Sequence, residues 1–226
     1  MRFQSSKAYE QISAVHCSLR EVSKSRAAME KSFALLEALM AEFPERDEYR
    51  GELIHQRYEM GLRYKFLGHP QEAREQYLRA IQLCRLTADL GVSAMTMNTC
   101  SWVLVDCPDE TLRDPDLGVA FAEKAVTMNP EEGNSWNTLG IAYYRKRDWM
   151  KARMSLEQSM KLRNGGDPND WFFLAMACQR LGDVDHARAW RDKASRHMDA
   201  NEPKNVDFLR YRAETDELLG CQCPKK

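Results

Sequence analysis

Two cysteines close to the carboxyl terminus, Cys221 and Cys223, are the first candidates for chemistry in this 226-residue chain. Thiolates at this spacing can hold a metal ion or form a redox pair, but a structural zinc site needs four ligands and no second pair lies nearby. The five histidines also lack the H-E-x-x-H spacing of a catalytic zinc site. We therefore expect no metal, no cofactor and no catalytic residue.

The sequence NGGD at residues 164–167 offers a second candidate, a glycine-rich loop that could hold a phosphate group. A P-loop follows a β-strand and carries a lysine, and this stretch has neither. Glycine is common just after a helix, and an aspartate followed by proline commonly begins one. The stretch therefore predicts the end of one helix and the start of the next.

Charge and cysteine content indicate which partners and which cellular compartment to expect. The chain has 33 Lys and Arg against 34 Asp and Glu, with the signs mixed along its length, so we expect no nucleic-acid partner. The seven cysteines show no disulfide spacing, which indicates a reducing compartment. Neither a signal peptide nor a run of ~18 apolar residues is evident, so we expect a cytoplasmic protein without membrane insertion.

The elements that must position any site are helices. All eight prolines fall where helices would begin or end, and the segments between them carry apolar residues at helical spacing. Asp114-Pro115 and Asp167-Pro168 each predict a helix start, and Gly68 and Gly182 each predict a helix end. No segment alternates apolar and polar residues over a strand length. The sequence therefore predicts an all-α protein.

A twelve-residue offset between small residues recurs along the chain, in the pairs Gly61 and Ala73, Gly140 and Ala152, and Ala175 and Ala187. A further copy joins Ser101 to Gly118 across 17 residues, so residues 106–115 must hold a turn five residues longer. His16 and Ala28 are again twelve apart. Residues 1–48 are therefore either a degenerate first repeat or one long helix.

The best copy has Trp136, Leu139, Gly140 and Tyr143, followed by Ala152. This spacing, W-x2-L-G-x2-Y and then a small residue, resembles the tetratricopeptide repeat (TPR). The resemblance implies a right-handed α-solenoid of helix-turn-helix hairpins over residues 49–202. The expected divisions are repeats at about 49–90, 91–132, 133–166 and 167–202, a capping helix at 203–219 and a disordered tail at 220–226.

A narrower resemblance is also present. The stretches NTCSWVLVDCPDETLRDPDLGVAFAEKAVTMNP and GGDPNDWFFLAMACQRLGDVDHARAW are similar to the TPR tails of large bacterial signalling proteins. In many of those proteins the tail follows a serine/threonine kinase domain, but this chain has no kinase glycine-rich loop, catalytic loop or D-F-G motif. The alternative function is therefore a detached regulatory or substrate-recruiting module of such a kinase.

The TPR resemblance also implies a concave groove lined by the first helix of each hairpin. Residues just off the packing stripe of these helices are the candidate peptide-binding residues: Tyr58, Leu62, Asn98, Trp102, Asn137, Ile141, Tyr144, Phe172, Met176 and Arg180, with His55 and Lys65 beside them. Asn98 and Asn137 occupy equivalent positions. Their amides could hold a peptide backbone or could brace neighbouring helices, and both alternatives remain open.

The same residues indicate the kind of partner. TPR proteins that hold the acidic tails of chaperones carry Lys and Asn four residues apart, whereas this chain has Asn98 with Trp102 and Asn137 with Ile141. We therefore expect no chaperone tail but an apolar peptide or amphipathic helix, bound by a non-catalytic scaffold. Phe172 and Met176 could instead be covered by the carboxy-terminal helix.

Overall fold

A computed structural model describes residues 1–220, and within them the chain forms eleven α-helices and no strand. The all-α prediction is therefore confirmed for this range, while Cys221, Cys223 and the predicted tail beyond Gly220 lie outside it. The helices are α1 (Arg2–Ser18), α2 (Val22–Glu42), α3 (Glu48–Phe66), α4 (Pro70–Thr87), α5 (Ala94–Asp106), α6 (Pro115–Met128), α7 (Gly133–Arg145), α8 (Trp149–Leu162), α9 (Pro168–Arg180), α10 (Val184–Asn201) and α11 (Val206–Leu219). A short 3-10 helix, Glu110–Leu112, lies between α5 and α6.

The NGGD stretch joins two helices, as its residues predict. Gly165 and Gly166 follow the end of α8 with φ angles of +105° and +70°, a conformation that glycine adopts without a steric penalty. Asp167 then caps α9, because its Oδ1 accepts a hydrogen bond from the Asn169 amide at 2.9 Å. The Asp170 carboxylate accepts in turn from the Asp167 amide at 3.1 Å, which completes a capping box.

Successive helices pack in pairs where the small residues allow a close approach. α3 packs against α4, α7 against α8, and α9 against α10. A Cβ atom added to Gly140 would lie 2.5 Å from Leu156 Cγ, and one added to Gly61 would lie 2.3 Å from Tyr77 Cε1. The twelve-residue offset therefore marks the contact between the two helices of a hairpin.

Residues 1–48 contain a pair of packed helices, α1 and α2, separated by residues 19–21. The contact is made by Ser13 and Ser25, whose hydroxyl oxygens lie 2.9 Å apart. Ser13 and Ser25 are twelve residues apart, the same offset as His16 and Ala28, and His16 bonds Glu21 through Nδ1 at 2.6 Å. Serine replaces glycine and alanine here and satisfies its hydroxyl within the contact.

The chain divides into two compact units, unit 1 at residues 1–121 and unit 2 from residue 122 onward, with the boundary inside α6. In unit 1, α3 contacts α1, α2, α4 and α5. In unit 2, α9 contacts α7, α8, α10 and α11. The copy with the five-residue longer turn is the hairpin of α5 and α6. Its two helices are joined within unit 1, where Ser101 Oγ donates to the Gly118 carbonyl at 2.8 Å.

The carboxy-terminal helix α11 begins at Val206, three residues later than its predicted start at 203, because Asn205 caps it. The Asn205 Oδ1 accepts from the Asp207 and Phe208 amides at 3.1 and 3.2 Å. α11 packs against α9 and α10 and ends at Gly220, whose φ is +67°. No helix within residues 1–220 has the length and hydrophobicity needed to cross a membrane.

Candidate functional site

The predicted groove residues of unit 2 are buried, with one exception. Asn137, Ile141, Tyr144, Phe172 and Met176 belong to the interior, and only Arg180 is exposed. The expectation that these five side chains line an open groove is therefore corrected, and for Phe172 and Met176 the burial agrees with the alternative that the carboxy-terminal helix covers them. The physical reason is that α9 is surrounded by α7, α8, α10 and α11, so that little of its surface faces solvent.

Asn137 braces two helices. Its Nδ2 donates to Asp170 Oδ1 at 2.7 Å, and both side chains are buried. Asp170 also forms an ion pair with Arg163. Burial raises the pKa of Asp170, and Arg163 and Asn137 oppose that rise. Of the two roles considered for this amide, the contacts favour bracing, because they hold α7 to the first turn of α9.

A row of aromatic rings occupies the face of unit 2 where the groove was expected. The ring of Tyr144 lies 5.2 Å from that of Trp149 and 5.4 Å from that of Phe173, which lies 5.1 Å from Tyr211 on α11. Arg145 stacks 5.0 Å from the Phe173 centroid and pairs with Glu214 of α11. Burial raises the pKa of Tyr144. We call this set the aromatic row, and it fastens α11 to α9.

Unit 1 has an open groove between its first helices, which we call the α1/α3/α5 groove. Its cavity measures about 310 Å³. It is lined by Phe3, Lys7, Glu48, Gly51, Glu52, His55, Ser93, Met95, Thr96 and Thr99. Of the residues expected beside a groove, His55 lies in it and is exposed. The sequence analysis did not name Phe3, Met95 or Thr99.

The remaining predicted residues of unit 1 lie on two of the groove's helices. Leu62 on α3 and Asn98 and Trp102 on α5 are half-buried, so part of each side chain is accessible. The Oδ1 of Asn98 is shielded from solvent and has no hydrogen-bond partner among the described residues. Tyr58 is buried, and its hydroxyl donates to the Asp106 carbonyl at 3.3 Å. Tyr58 is therefore corrected from a groove residue to a core residue.

The starts of α3 and α5 are fixed against each other. A Cβ on Gly51 would lie 2.7 Å from Thr96 Oγ1, so glycine permits this close approach. Asp47 accepts from the Ser93 amide at 2.9 Å and from the Ser93 hydroxyl at 2.7 Å. Burial raises the pKa of Asp47 less than the hydrogen bonds from Thr96 and Ser93 lower it, so that its net pKa lies below the usual value.

The groove presents charges of both signs beside apolar atoms. Lys7 Nζ lies 3.7 Å from the Glu52 carboxylate and 4.7 Å from the Phe3 ring centroid. Glu52 also accepts a hydrogen bond from Gln56 Nε2 at 2.9 Å. Met95 is 79% exposed. Such a surface can bind a segment that offers apolar side chains together with backbone hydrogen-bonding groups. Within residues 1–220, no three His, Cys, Asp or Glu side chains cluster as metal ligands would.

Comparison with known proteins agrees with this architecture. No family model matches the chain. A segment of 68 residues is 32% identical to the general transcriptional corepressor trfA of Dictyostelium discoideum, but the match covers 30% of this chain and only 5% of that protein. The similarity to the tails of kinase-type signalling proteins stays a prediction.

Solved structures of TPR proteins resemble most of the chain. TTC0263, a TPR protein of Thermus thermophilus, superposes with a TM-score of 0.54 at 18% identity, over 90% of this chain and 98% of its own. A TPR protein of Parabacteroides merdae superposes with a TM-score of 0.50 at 13% identity, over 96% and 75%. The fold predicted from the Trp136 motif is thereby confirmed: the chain has the α-helical fold of tetratricopeptide-repeat proteins.

Proposed function

We propose that the chain is a non-catalytic scaffold that binds a peptide segment or a helix of a partner protein in the α1/α3/α5 groove. The observation that carries this proposal is the open groove, which exposed Met95 and His55 line, with partly accessible Leu62, Asn98 and Trp102 on the same helices. Repeat proteins of this type present such faces to their partners. The fold supports this class of function.

The chemistry of the groove suits a peptide. The Asn98 Oδ1 is shielded from solvent and lacks a partner within the described residues, so the group that Asn98 can offer to a peptide carbonyl is its Nδ2. The unbranched Met95 side chain can adapt to differently shaped apolar groups. Because Lys7 and Glu52 already pair, we retain the expectation that the partner is not an acidic chaperone tail.

The buried thiols bear on the compartment. Cys17, Cys84, Cys100, Cys107 and Cys178 are free and buried. Burial raises the pKa of Cys107 to about 11, so this thiol is protonated at neutral pH. These thiols support the proposal that the protein works in a reducing compartment, for which we retain the cytoplasm.

The test compares two alanine variants of exposed or half-exposed residues. Trp102→Ala removes an aromatic side chain on α5, one of the three helices that form the groove, whereas Leu86→Ala removes an aliphatic side chain on α4, which is not one of them and where Leu86 is 67% exposed. Affinity capture with mass spectrometry first identifies proteins retained by the wild-type chain. Isothermal titration with a synthetic segment of the retained protein then gives the dissociation constant for each variant.

We expect Trp102→Ala to weaken binding at least tenfold, the effect typical of an aromatic hot spot, and Leu86→Ala to change it less than twofold. Circular dichroism melts should show both variants folded. Equal affinities for Trp102→Ala and the wild-type chain would contradict the proposed site.

A further inference from the structure

An open apolar cleft lies on unit 2, away from the aromatic row. It measures about 830 Å³, and we call it the α6/α7/α8 cleft after the helices that line it. The lining residues are Glu123, Val126, Thr127, Trp136, Leu139, Tyr143, Lys151, Met154, Ser155 and Gln158. Trp136 is held in place because its Nε1 donates to the Pro130 carbonyl at 2.8 Å. Its ring therefore presents a fixed apolar surface to the cleft.

The equivalent cleft of unit 1, between α2, α3 and α4, is nearly filled. Arg57 stands where the repeat would place Trp, and its guanidinium lies 3.8 Å from the Phe33 ring centroid. It donates to Gln76 at 3.1 Å and to Glu37 at 3.0 Å. The cavity left beside it measures about 110 Å³. Position in the repeat therefore does not by itself produce an open cleft.

A second Trp in unit 2 shows how such a surface is covered. Trp171 is the counterpart of Trp136, and its Nε1 donates to the Gly165 carbonyl at the same 2.8 Å. Lys193 Nζ lies 4.1 Å from its ring centroid and His197 lies 5.3 Å away, so Trp171 is buried. In the preceding hairpin, the position equivalent to Lys193 is occupied by Gln158. Trp136 is partly exposed there. The α6/α7/α8 cleft is thus open because its covering residues differ.

One end of the cleft carries opposite charges on its two sides. Glu123 on α6 accepts a hydrogen bond from the Tyr143 hydroxyl at 2.5 Å. Lys151 on α8 lies 5.1 Å from the Tyr143 ring centroid and 3.5 Å from Asp148. Burial, and then the bond to Glu123, raise the pKa of Tyr143, which therefore remains a phenol that donates. The carboxylate and the ammonium group flank the apolar surface.

We propose that the α6/α7/α8 cleft binds an amphipathic helix of a partner protein, with an apolar stripe over Trp136 and Met154, a basic residue toward Glu123 and an acidic residue toward Lys151. The cleft follows α8 from Lys151 to Gln158, which is ~10 Å or two helical turns. Trp is one of the residue types enriched among the hot spots at the centre of protein interfaces. Charges on both sides of an apolar stripe select the partner by complementarity.

Two matched variants test the apolar part of this proposal. Met154→Asp places a charge in the cleft, whereas Met150→Asp places the same charge one turn earlier on the same helix, where the side chain does not line it. The two methionines are 62% and 56% exposed, so neither substitution should unfold the protein. The probe is a fluorescein-labelled synthetic helix of ~14 residues with a leucine stripe, flanked by Glu on one side and Lys on the other. Binding is measured by fluorescence anisotropy.

We expect Met154→Asp to weaken binding of this mixed-charge helix at least tenfold and Met150→Asp to change it less than twofold. Trp102→Ala, on the α5 helix of the α1/α3/α5 groove, should leave the affinity unchanged, which separates this cleft from the groove. The charge part is tested with a second helix that carries Lys on both sides. The wild-type chain should prefer the mixed helix about threefold, and Lys151→Glu should reverse that preference.

Three results would overturn the proposal. The first is no binding of either helix below ~1 mM, which is weaker than specific helix recognition. The second is an equal loss of affinity in Met154→Asp and Met150→Asp. The third is self-association, detected by analytical ultracentrifugation, that Met154→Asp abolishes, since the occupant would then be a second copy of this chain.

Discussion

The α1/α3/α5 groove of unit 1 and the face of unit 2 formed by α7, α9 and α11 occupy equivalent places in the repeats, yet only the groove is open. Ser101 and Ala175 are equivalent small residues of their repeats, so Thr99 and Phe173, each two residues earlier, are equivalent as well. Thr99 lines the groove, whereas Phe173 is fully buried. A small hydroxyl side chain leaves space at this position. An aromatic ring fills it and joins the row to α11.

The comparison shows that repeat position and accessibility are separate properties. A hairpin sets which side chains point to the common face of the first helices, but the volume of those side chains decides whether the face is a groove or a core. In unit 1 the face keeps exposed Met95, whereas in unit 2 it holds Tyr144, Phe173 and Tyr211. Binding and stability should therefore respond in opposite ways to substitutions in the two units.

The largest expected effect is on the closed face. Phe173→Ala removes a fully buried ring that contacts Tyr144 and Tyr211, and it should lower the free energy of unfolding by about 3 to 5 kcal/mol. Urea unfolding followed by circular dichroism measures the change. The control is Met95→Ala on the open face, which should alter stability by less than ~0.5 kcal/mol. A small effect of Phe173→Ala would mean that the aromatic row is not part of the core.

The paired amides give the next contrast. Asn137→Ala removes a buried donor to Asp170 and should cost about 1 to 3 kcal/mol of stability, because the carboxylate loses a partner. Partner affinity should stay within twofold of the wild-type value. Titration calorimetry and urea unfolding on the same preparation measure both quantities. Unchanged stability with weakened binding would return Asn137 to the list of binding residues.

Asn98→Ala should behave in the opposite way. Its Oδ1 has no partner within the described part of the chain, so stability should change by less than ~0.5 kcal/mol. Affinity for a groove peptide should fall about three- to tenfold, the worth of one hydrogen bond. Titration calorimetry checks the affinity, and a loss of stability without a loss of affinity would contradict the proposed role.

The smallest expected effect concerns the contact that holds the groove together. Because the pKa of Asp47 is lowered in the folded protein, its ionised form stabilises the fold above its unfolded pKa of about 4, and this contribution is lost as the pH falls through the folded value. Asp47→Asn should therefore lower the free energy of unfolding by less than ~1 kcal/mol at pH 7. It should also make that free energy fall less steeply as the pH is lowered below about 4. Urea unfolding between about pH 2.5 and 7 tests this. If the loss of stability at low pH were unchanged in Asp47→Asn, that loss would come from other carboxylates.

The sequence predicted the repeats, the caps and the close helix approaches because local residue types determine them. Asp167 and Gly165 fix the junction between α8 and α9, and Gly140 fixes the contact within its hairpin. For residues 1–48 the sequence left a degenerate repeat and one long helix as alternatives, because Ser13 and Ser25 stand at the helix contact where other hairpins have glycine and alanine. Local residue types therefore identified the fold, but they did not identify the serine contact between α1 and α2.

The candidate site was harder to predict from the sequence. Helical spacing placed Phe172 and Met176 toward a common face and left cover by the carboxy-terminal helix as an alternative, but it could not decide between groove and core, which depends on the four helices around α9. Leu62, Asn98 and Trp102 remain partly accessible. Met95 and Thr99 could have been found, since they precede Trp102 at helical spacing on the same face of α5.

Methionine oxidation tests the central claim most directly, because the two faces each carry a methionine on a first helix. Met95 is 79% exposed and Met176 is fully buried. Brief treatment of the native chain with hydrogen peroxide, followed by peptide mass spectrometry, should oxidise Met95 quickly and leave Met176 intact, and the bound partner should protect Met95. Oxidation of Met176 in the native chain, or an unchanged rate at Met95 when the partner is bound, would contradict the account.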